Sequence, residues 1–267
     1  MIAHIDLDIV VYSIASACDN KRYMFQGSEY QYIKDAKKQA DLLKLPHSLI
    51  TSFVTPEPLD NVKKTAVTFL EAIINLLGCG YKGYLSGKGN FRYDIATILP
   101  YKGNRSSFVK PYHYDNLRQF FVETYQAEMS SQMEADDLIG LNHNPEEDII
   151  VTKDKDLNCI PGLHFNWSNN SCFYLFEHQA DASFYCQLLT GDATDNILGI
   201  YGIGAKSDHL QTIKYMKGSR EMFDYVVEIY KKHFGAYWKM FMTENARLLW
   251  IKQKRKPTWE TYLCETD

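Results

Sequence analysis

Ile2-Ala3-His4-Ile5-Asp6-Leu7-Asp8 is the stretch on which the reading of this chain turns. A short, mostly apolar run ends on an acid and passes directly into residues that suit a helix through about position 14. A buried strand followed by a turn into a helix is the opening unit of an open α/β sheet. Such sheets bind ligands in the crevice beyond the carboxyl ends of their strands. Alone, Asp6 is an ordinary solvated acid at a strand end. Its meaning depends on what else the fold brings to that edge.

Working outward, residues 82–85 make a second candidate strand and residues 148–152 a third, with more acids just beyond it. Asn61 can cap a helix to about position 77, with Val67, Leu70, Ile74 and Leu77 on one face and Gly78 as its stop. Asp115 can cap a helix through position 125, and residues 134–140 open another. Residues 163–167 and 172–176 flank Ser168-Asn169-Asn170-Ser171, which predicts a hairpin. Strands that alternate with helices predict a mainly parallel sheet flanked by helices. Residues 21–60 are polar and punctuated by Pro46, Pro56 and Pro58, and read as an insertion of mixed helix and loop. The expected organisation is an α/β core over residues 1–180 that contains this insertion. A mostly helical region over 181–267 packs on that core.

The 267 residues suffice for a sizeable core. The formal net charge is −4, whereas a protein that simply coats duplex DNA is usually basic. An enzyme that gathers acids around metal ions need not be. The six cysteines form no CxxC pair, so no zinc knuckle is expected, and a reduced, cytoplasmic setting is the simplest one. No basic leader or long apolar stretch predicts a signal peptide or a membrane span.

Three further motifs carry acids. Glu134-Ala135-Asp136-Asp137 places three carboxylates in four residues at a helix start. One acid there complements the helix dipole, but three repel one another unless a cation sits between them. Thr152-Lys153-Asp154-Lys155-Asp156 puts two acids just past a strand, where both reach one ion or simply decorate a charged turn. Gly191-Asp192-Ala193-Thr194-Asp195-Asn196 has acids three apart, on one face of a helical turn. It is followed by Gly199-Ile200-Tyr201-Gly202-Ile203-Gly204-Ala205-Lys206, a glycine-rich turn that opens a helix and so suits a phosphate. Oxygen ligands in this number favour Mg²⁺ or Mn²⁺ over zinc, and two such ions would serve in-line phosphodiester cleavage. Tyr101-Lys102-Gly103-Asn104-Arg105 adds two cations to offset charge on a reacting phosphate and an aromatic able to stack on a base.

In this order the motifs resemble the 5′-to-3′ exonuclease and flap endonuclease family, particularly its compact bacteriophage type. The resemblance spans Asp6 to Lys206. It implies a PIN-like fold whose C-terminal helical region carries a helix–three-turn–helix element. It also implies a two-metal 5′ nuclease acting on duplex ends, gaps or 5′ flaps of DNA, with RNA–DNA hybrids as a further substrate class. Exonuclease action leads, and a monomer is expected. A non-catalytic, structure-specific DNA-binding protein derived from such a nuclease is the alternative. Asp6, Glu134, Asp136 and Asp137 match the first metal's ligands, with Asp8 as second choice to Asp6. Asp154, Asp156, Asp192 and Asp195 match those of the second. Lys102 and Arg105 match residues that contact the scissile phosphate. Tyr101, Gly199, Gly202, Gly204 and Lys206 are the expected DNA contacts, with a K⁺ ion at the glycine turn. The chain departs from the pattern at Leu85-Ser86-Gly87, where many relatives carry an Asp after the second strand.

Overall fold

The computed structural model describes residues 1–105, 108–254 and 258–265. The chain forms two compact units. One comprises Met1–Ile9, Ile74–Phe108 and Gln126–Asp267, and the other Val10–Ile73 and Val109–Tyr125.

The first unit is built on a mixed sheet. Its described strands lie in the order Glu128–Met129, Gly80–Leu85, Ile2–Asp6, Ile149–Val151, Gly162–Asn166 and Ser171–Leu175. Neighbouring strands are parallel except the last pair, which forms the expected antiparallel hairpin. The predicted mainly parallel α/β sheet is therefore present. Ile2–Asp6 is central: Ile5 aligns with Gly83 on one side and with Val151 on the other. Central strands covered on both faces read as near-continuous apolar runs, as Ile149–Val151 does. The register brings Asp6 level with Tyr84, so Asp6, Ser86 and Thr152 leave the sheet at the same edge.

The helices Glu177–Thr190, Asp208–Tyr215, Ser219–Phe234, Trp238–Leu249 and Trp259–Cys264 belong to this same unit. Their buried residues Phe184, Leu188, Val226, Tyr230 and Ala246 share one hydrophobic cluster with Tyr84 and Ile150 of the sheet. The larger of these, such as Phe184, Leu188 and Val226, each stabilise the fold by roughly 1.5–3 kcal/mol. The expected boundary near residue 180 therefore does not separate two compact units, because one core runs through it.

The second unit corrects the reading of the insertion. Residues 21–60 contribute to a three-stranded antiparallel sheet, Asp19–Phe25 with Ser28–Tyr30 and Thr51–Pro56, as well as the helix Ile33–Leu42. Ala36 and Ala40 of that helix pack on Phe25. Gln26 and Gly27 both have positive φ, 50° and 78°, the geometry of a tight two-residue hairpin turn. Asp19–Phe25 opens with four polar residues and ends on three consecutive apolar ones, and Thr51–Pro56 carries Phe53 and Val54 side by side, so neither shows the alternation that normally betrays a strand. Among the described residues, no helix is long and apolar enough to cross a membrane.

Candidate active site

Asp6 is the last residue of its strand and is 3% exposed. Its Oδ2 accepts a hydrogen bond from the Thr152 hydroxyl at 2.9 Å. The same hydroxyl accepts from the Asp154 backbone N–H at 2.9 Å, and Asp154 Oδ1 accepts from the Asp156 N–H at 3.0 Å. A short relay of hydrogen bonds thus fixes three acids in sequence just beyond the sheet edge. Glu134 is the N-cap of the helix Ala135–Asn142, and Asp136 lies in its first turn. Ser86, leaving the neighbouring strand, accepts from the Ala135 N–H at 2.9 Å and so pins this helix start to the same edge. Asp192 follows the helix Glu177–Thr190, and its Oδ1 accepts from the N–H groups of Thr194 at 2.7 Å and Asp195 at 3.3 Å. Gln187, on that helix, donates to Asp156 at 3.0 Å and reaches Asp192 at 3.5 Å.

These acids raise one another's proton affinity. Burial, then the charge of Asp8, pushes Asp6 up to about 7. Burial, then Asp6, Glu134 and Asp154, lifts Asp136 well above the carboxylate range. Burial, then Asp154 and Asp192, pushes Asp156 up to about 7. Burial also raises Asp195, against the pull of Lys102 and Tyr101. Asp154 thus acts on both groups: Asp6 and Asp136 on one side, Asp156 on the other. Among the described residues, the Asp136 carboxylate accepts no hydrogen bond, and no three of these acids offer oxygens all within 4.8 Å of one another. Uncompensated carboxylates hold apart. An all-oxygen set of this kind fits Mg²⁺ or Mn²⁺, which would draw them together.

The basic residues lie against the acids. The Lys102 ammonium is hydrogen-bonded to Glu134 and 3.7 Å from Asp195, while its backbone N–H donates to the Asp195 carbonyl at 2.9 Å. Burial disfavours its charge, but Glu134 and Asp195 more than offset this and hold its pKa up. Arg105 donates to Asp195 Oδ1 at 2.6 Å and to the Thr194 carbonyl at 3.2 Å.

Two expectations need correction, and packing sets two further positions. Tyr101 is 4% exposed, and its hydroxyl donates to Asp195 at 2.6 Å and lies 3.1 Å from Glu134, so its ring is unavailable for stacking on a base. Asp137 is not free to ligate a metal. Its two oxygens accept from Arg92 at 2.6 and 3.0 Å, and from the N–H groups of Glu134 and Lys252. Gly199 is glycine for packing, since a Cβ there would lie 2.1 Å from the Thr190 carbonyl carbon. Position 87 has no room for the carboxylate that the family pattern places there, because a Cβ would sit 1.8 Å from the Ser130 carbonyl oxygen. Asp8 stands beside that gap, with its Oδ2 accepting from the Ser86 N–H at 2.8 Å. Gly202, Gly204 and Lys206 are exposed on the turn between the helices Glu177–Thr190 and Asp208–Tyr215.

Sequence reading passed over Thr152, Gln187 and Arg92, which position the acids. Thr152 stands where a strand ends and Gln187 five residues before Asp192, but neither residue type announces such a role.

Several solved structures share this architecture. The bacteriophage T5 D15 protein co-crystallized with metal ions superposes with a TM-score of 0.51 at 15% identity, over 99% of this chain and 91% of that one. This chain has the fold of the T5 D15 protein. The T5 D15 flap endonuclease in a pseudo-enzyme–product complex with DNA and metal ions gives a TM-score of 0.49 at 15% identity, over the same shares of the two chains. A mutant T5 5′-exonuclease gives 0.39 at 12% identity, over 99% of this chain and 96% of that one. The sequence matches no protein-family model and no curated protein. In this fold Asp6 ends one parallel strand and Asp154 follows its neighbour, at the carboxyl edge where open α/β sheets take their ligands.

Proposed function

We propose that the chain is a divalent-metal-dependent 5′ nuclease that hydrolyses phosphodiester bonds of DNA, acting foremost as a 5′-to-3′ exonuclease. The observation that carries this reading is the convergence of acids from four separated segments on one sheet edge, with Lys102 and Arg105 against them. Such a group has no structural need for so many mutually repelling, part-buried charges. It has a chemical need when cations and a phosphate are to be bound.

Asp6, Glu134 and Asp136, with Asp8 beside them, would hold one Mg²⁺ or Mn²⁺ ion. Asp154, Asp156, Asp192 and Asp195 would hold the other. Two such ions supply charge to the attacking and leaving oxygens of an in-line displacement. The protein does the rest. Thr152 and Gln187 orient the carboxylates, and Tyr101 steadies Asp195 against Glu134. Lys102 and Arg105, which lie against Glu134 and Asp195, would contact the incoming phosphate and stabilise charge that develops there. The exposed turn with Gly202, Gly204 and Lys206 suits contact with a duplex backbone, with a K⁺ ion held at its carbonyls. Contacts of this kind read structure and ends and carry no base sequence. Phosphodiester cleavage of 5′ flaps and of RNA–DNA hybrids belongs to the same chemistry.

The deciding experiment is Mg²⁺-dependent release of nucleotides from 5′-labelled blunt, gapped, flapped and RNA–DNA substrates. Nucleotide release from 5′ ends is expected. Tight binding without cleavage in Mg²⁺ or Mn²⁺ would instead make the chain a structure-specific DNA-binding protein, the reading that the blocked position 87 favours.

A further inference from the structure

The helix that begins with Glu134 and Asp136 ends at His143, its C-cap. Eight residues of helix span about 12 Å, so His143 stands about that far from the helix start, while His4 is two strand residues, about 6.6 Å, from Asp6. Here His143 meets His4, in the middle of the first strand, and Asp148, which precedes the strand Ile149–Val151. His4 and His143 are 2% and 5% exposed. One donor atom from each of His4, His143 and Asp148 lies within 4.8 Å of the other two. The two imidazole rings meet edge to face, with centroids 5.7 Å apart.

An ordinary buried hydrogen-bond network accounts for most of this cluster, but not all of it. Asp148 accepts from the Ile2 N–H at 2.9 Å and the Asn144 N–H at 3.2 Å, and its Oδ2 lies 3.1 Å from His4 Nε2. His4 Nδ1 lies 2.9 Å from the Tyr84 hydroxyl. His143 Nε2 lies 3.1 Å from the Pro161 carbonyl oxygen. A carbonyl only accepts, so the ring proton is on Nε2 and Nδ1 presents a bare lone pair. That Nδ1 is buried and has no hydrogen-bond partner among the described residues. The buried Nδ1 atoms of His113 and His164 are left in the same way, but among the described residues only His143 also belongs to a group of three donors within 4.8 Å of one another, where a Lewis acid would satisfy it.

We propose that His4, His143 and Asp148 form a buried site for zinc or a similar transition-metal ion, with three protein donors and a fourth position for water, distinct from the carboxylate cleft. Two imidazoles and one carboxylate are a donor set for zinc, whereas Mg²⁺ prefers oxygen. Bonds of about 2.0 Å to a four-coordinate zinc put neighbouring donors ~3.3 Å apart, and His4 and Asp148 already stand at 3.1 Å. The outer contacts have the form seen around ligating histidines: the Pro161 carbonyl takes the far N–H of His143, and the Tyr84 oxygen can take that of His4. The ion would tie the first strand to the end of the helix Ala135–Asn142. The inference does not depend on nuclease activity and would stand if the cleft proved inert.

The test uses the full-length protein, stripped with a chelator and titrated with Co²⁺ in excess Mg²⁺. The expected result is a stoichiometric visible band of four-coordinate Co²⁺ that Zn²⁺ displaces. His143→Gln should lose the band, while Asp154→Asn, in the cleft, should keep it. Absence of the band in the wild type, or its persistence in His143→Gln, overturns the proposal. If His143→Gln does not fold, histidine ¹⁵N spectra of the wild type decide: zinc should shift the His143 Nδ1 resonance out of the bare lone-pair range, and an unmoved resonance at saturating zinc overturns the site.

Discussion

Arg92 grips Asp137 through two buried hydrogen bonds of 2.6 and 3.0 Å, and the pair joins the helix Ala135–Asn142 to the C-terminal region. Arg92 also donates to the carbonyls of Leu248 and Trp250, and Asp137 accepts from the Lys252 N–H. Both side chains are at most 3% exposed. Removing one partner of such a pair leaves an uncompensated buried charge, which costs about 3–5 kcal/mol. Asp137→Ala should therefore lower the unfolding free energy by that amount in urea titrations while leaving metal affinity in the surviving folded fraction close to that of the wild type. A fully stable Asp137→Ala that had lost metal binding would return Asp137 to the ligand set.

Asp154 is the acid that acts on both groups of the cleft, raising Asp6 and Asp136 on one side and Asp156 on the other. On the proposed two-ion reading, its loss should affect both ions, whereas loss of Asp192 should affect one. Asp154→Ala and Asp192→Ala are both expected to abolish cleavage and to leave DNA binding within a few-fold of wild type, since neither residue carries a positive charge to hold a phosphate backbone. Mn²⁺ titration should find both sites weakened in Asp154→Ala and one in Asp192→Ala. Wild-type turnover in either variant would show the site to be misassigned.

How much of this was legible in the sequence depended on the kind of interaction. Asp6, Asp154 and Asp192 could be singled out only together, because each alone passes for an ordinary strand-end or turn acid and it is the order of the motifs that is unusual. The main sheet was legible because its central strands are apolar runs. The antiparallel sheet of the insertion was not, because Asp19–Phe25 and Thr51–Pro56 show no polar–apolar alternation and prolines at 46, 56 and 58 imitate loop punctuation. Tyr101 was misread for a related reason. An aromatic beside two cations suits a stacking platform, and only the tertiary contacts of its hydroxyl with Asp195 and Glu134 reveal that it faces inward. The burial of Asp137 depended on Arg92, 45 residues away, which no local pattern connects to it.

Lys102 occupies the place of a cation between Glu134 and Asp195. Lys102→Ala should then have two opposite effects. The single-turnover cleavage rate should fall by roughly 10²–10³, the scale for losing one stabilising group at a developing charge. Metal affinity should hold or rise, since an internal competitor for Glu134 has gone. DNA affinity should fall much less than the rate, and equal losses in both would make Lys102 an anchor for DNA with no part in the chemistry.

The raised acids also fix how pH and metal act on stability. Asp6 and Asp156 ionise near the ordinary carboxylate value of 3.8 when unfolded and near 7 when folded. Between these values the folded state binds more protons, so their contribution to metal-free stability falls as pH rises from about 4 to about 7. Buried His143 works the other way. Its folded pKa is depressed to about 4 by burial, so its contribution grows as pH rises from there toward 6.5. Metal-free stability alone is therefore a sum of opposing slopes. The gain on adding Mg²⁺ isolates the acids, because magnesium binds oxygen ligands and must displace their protons. The rise in Tm on adding saturating Mg²⁺ should be small at pH 5 and substantially larger at pH 8. Equal rises at the two values would mean that the cleft acids are already ionised at pH 5 and do not hold the metal against protons.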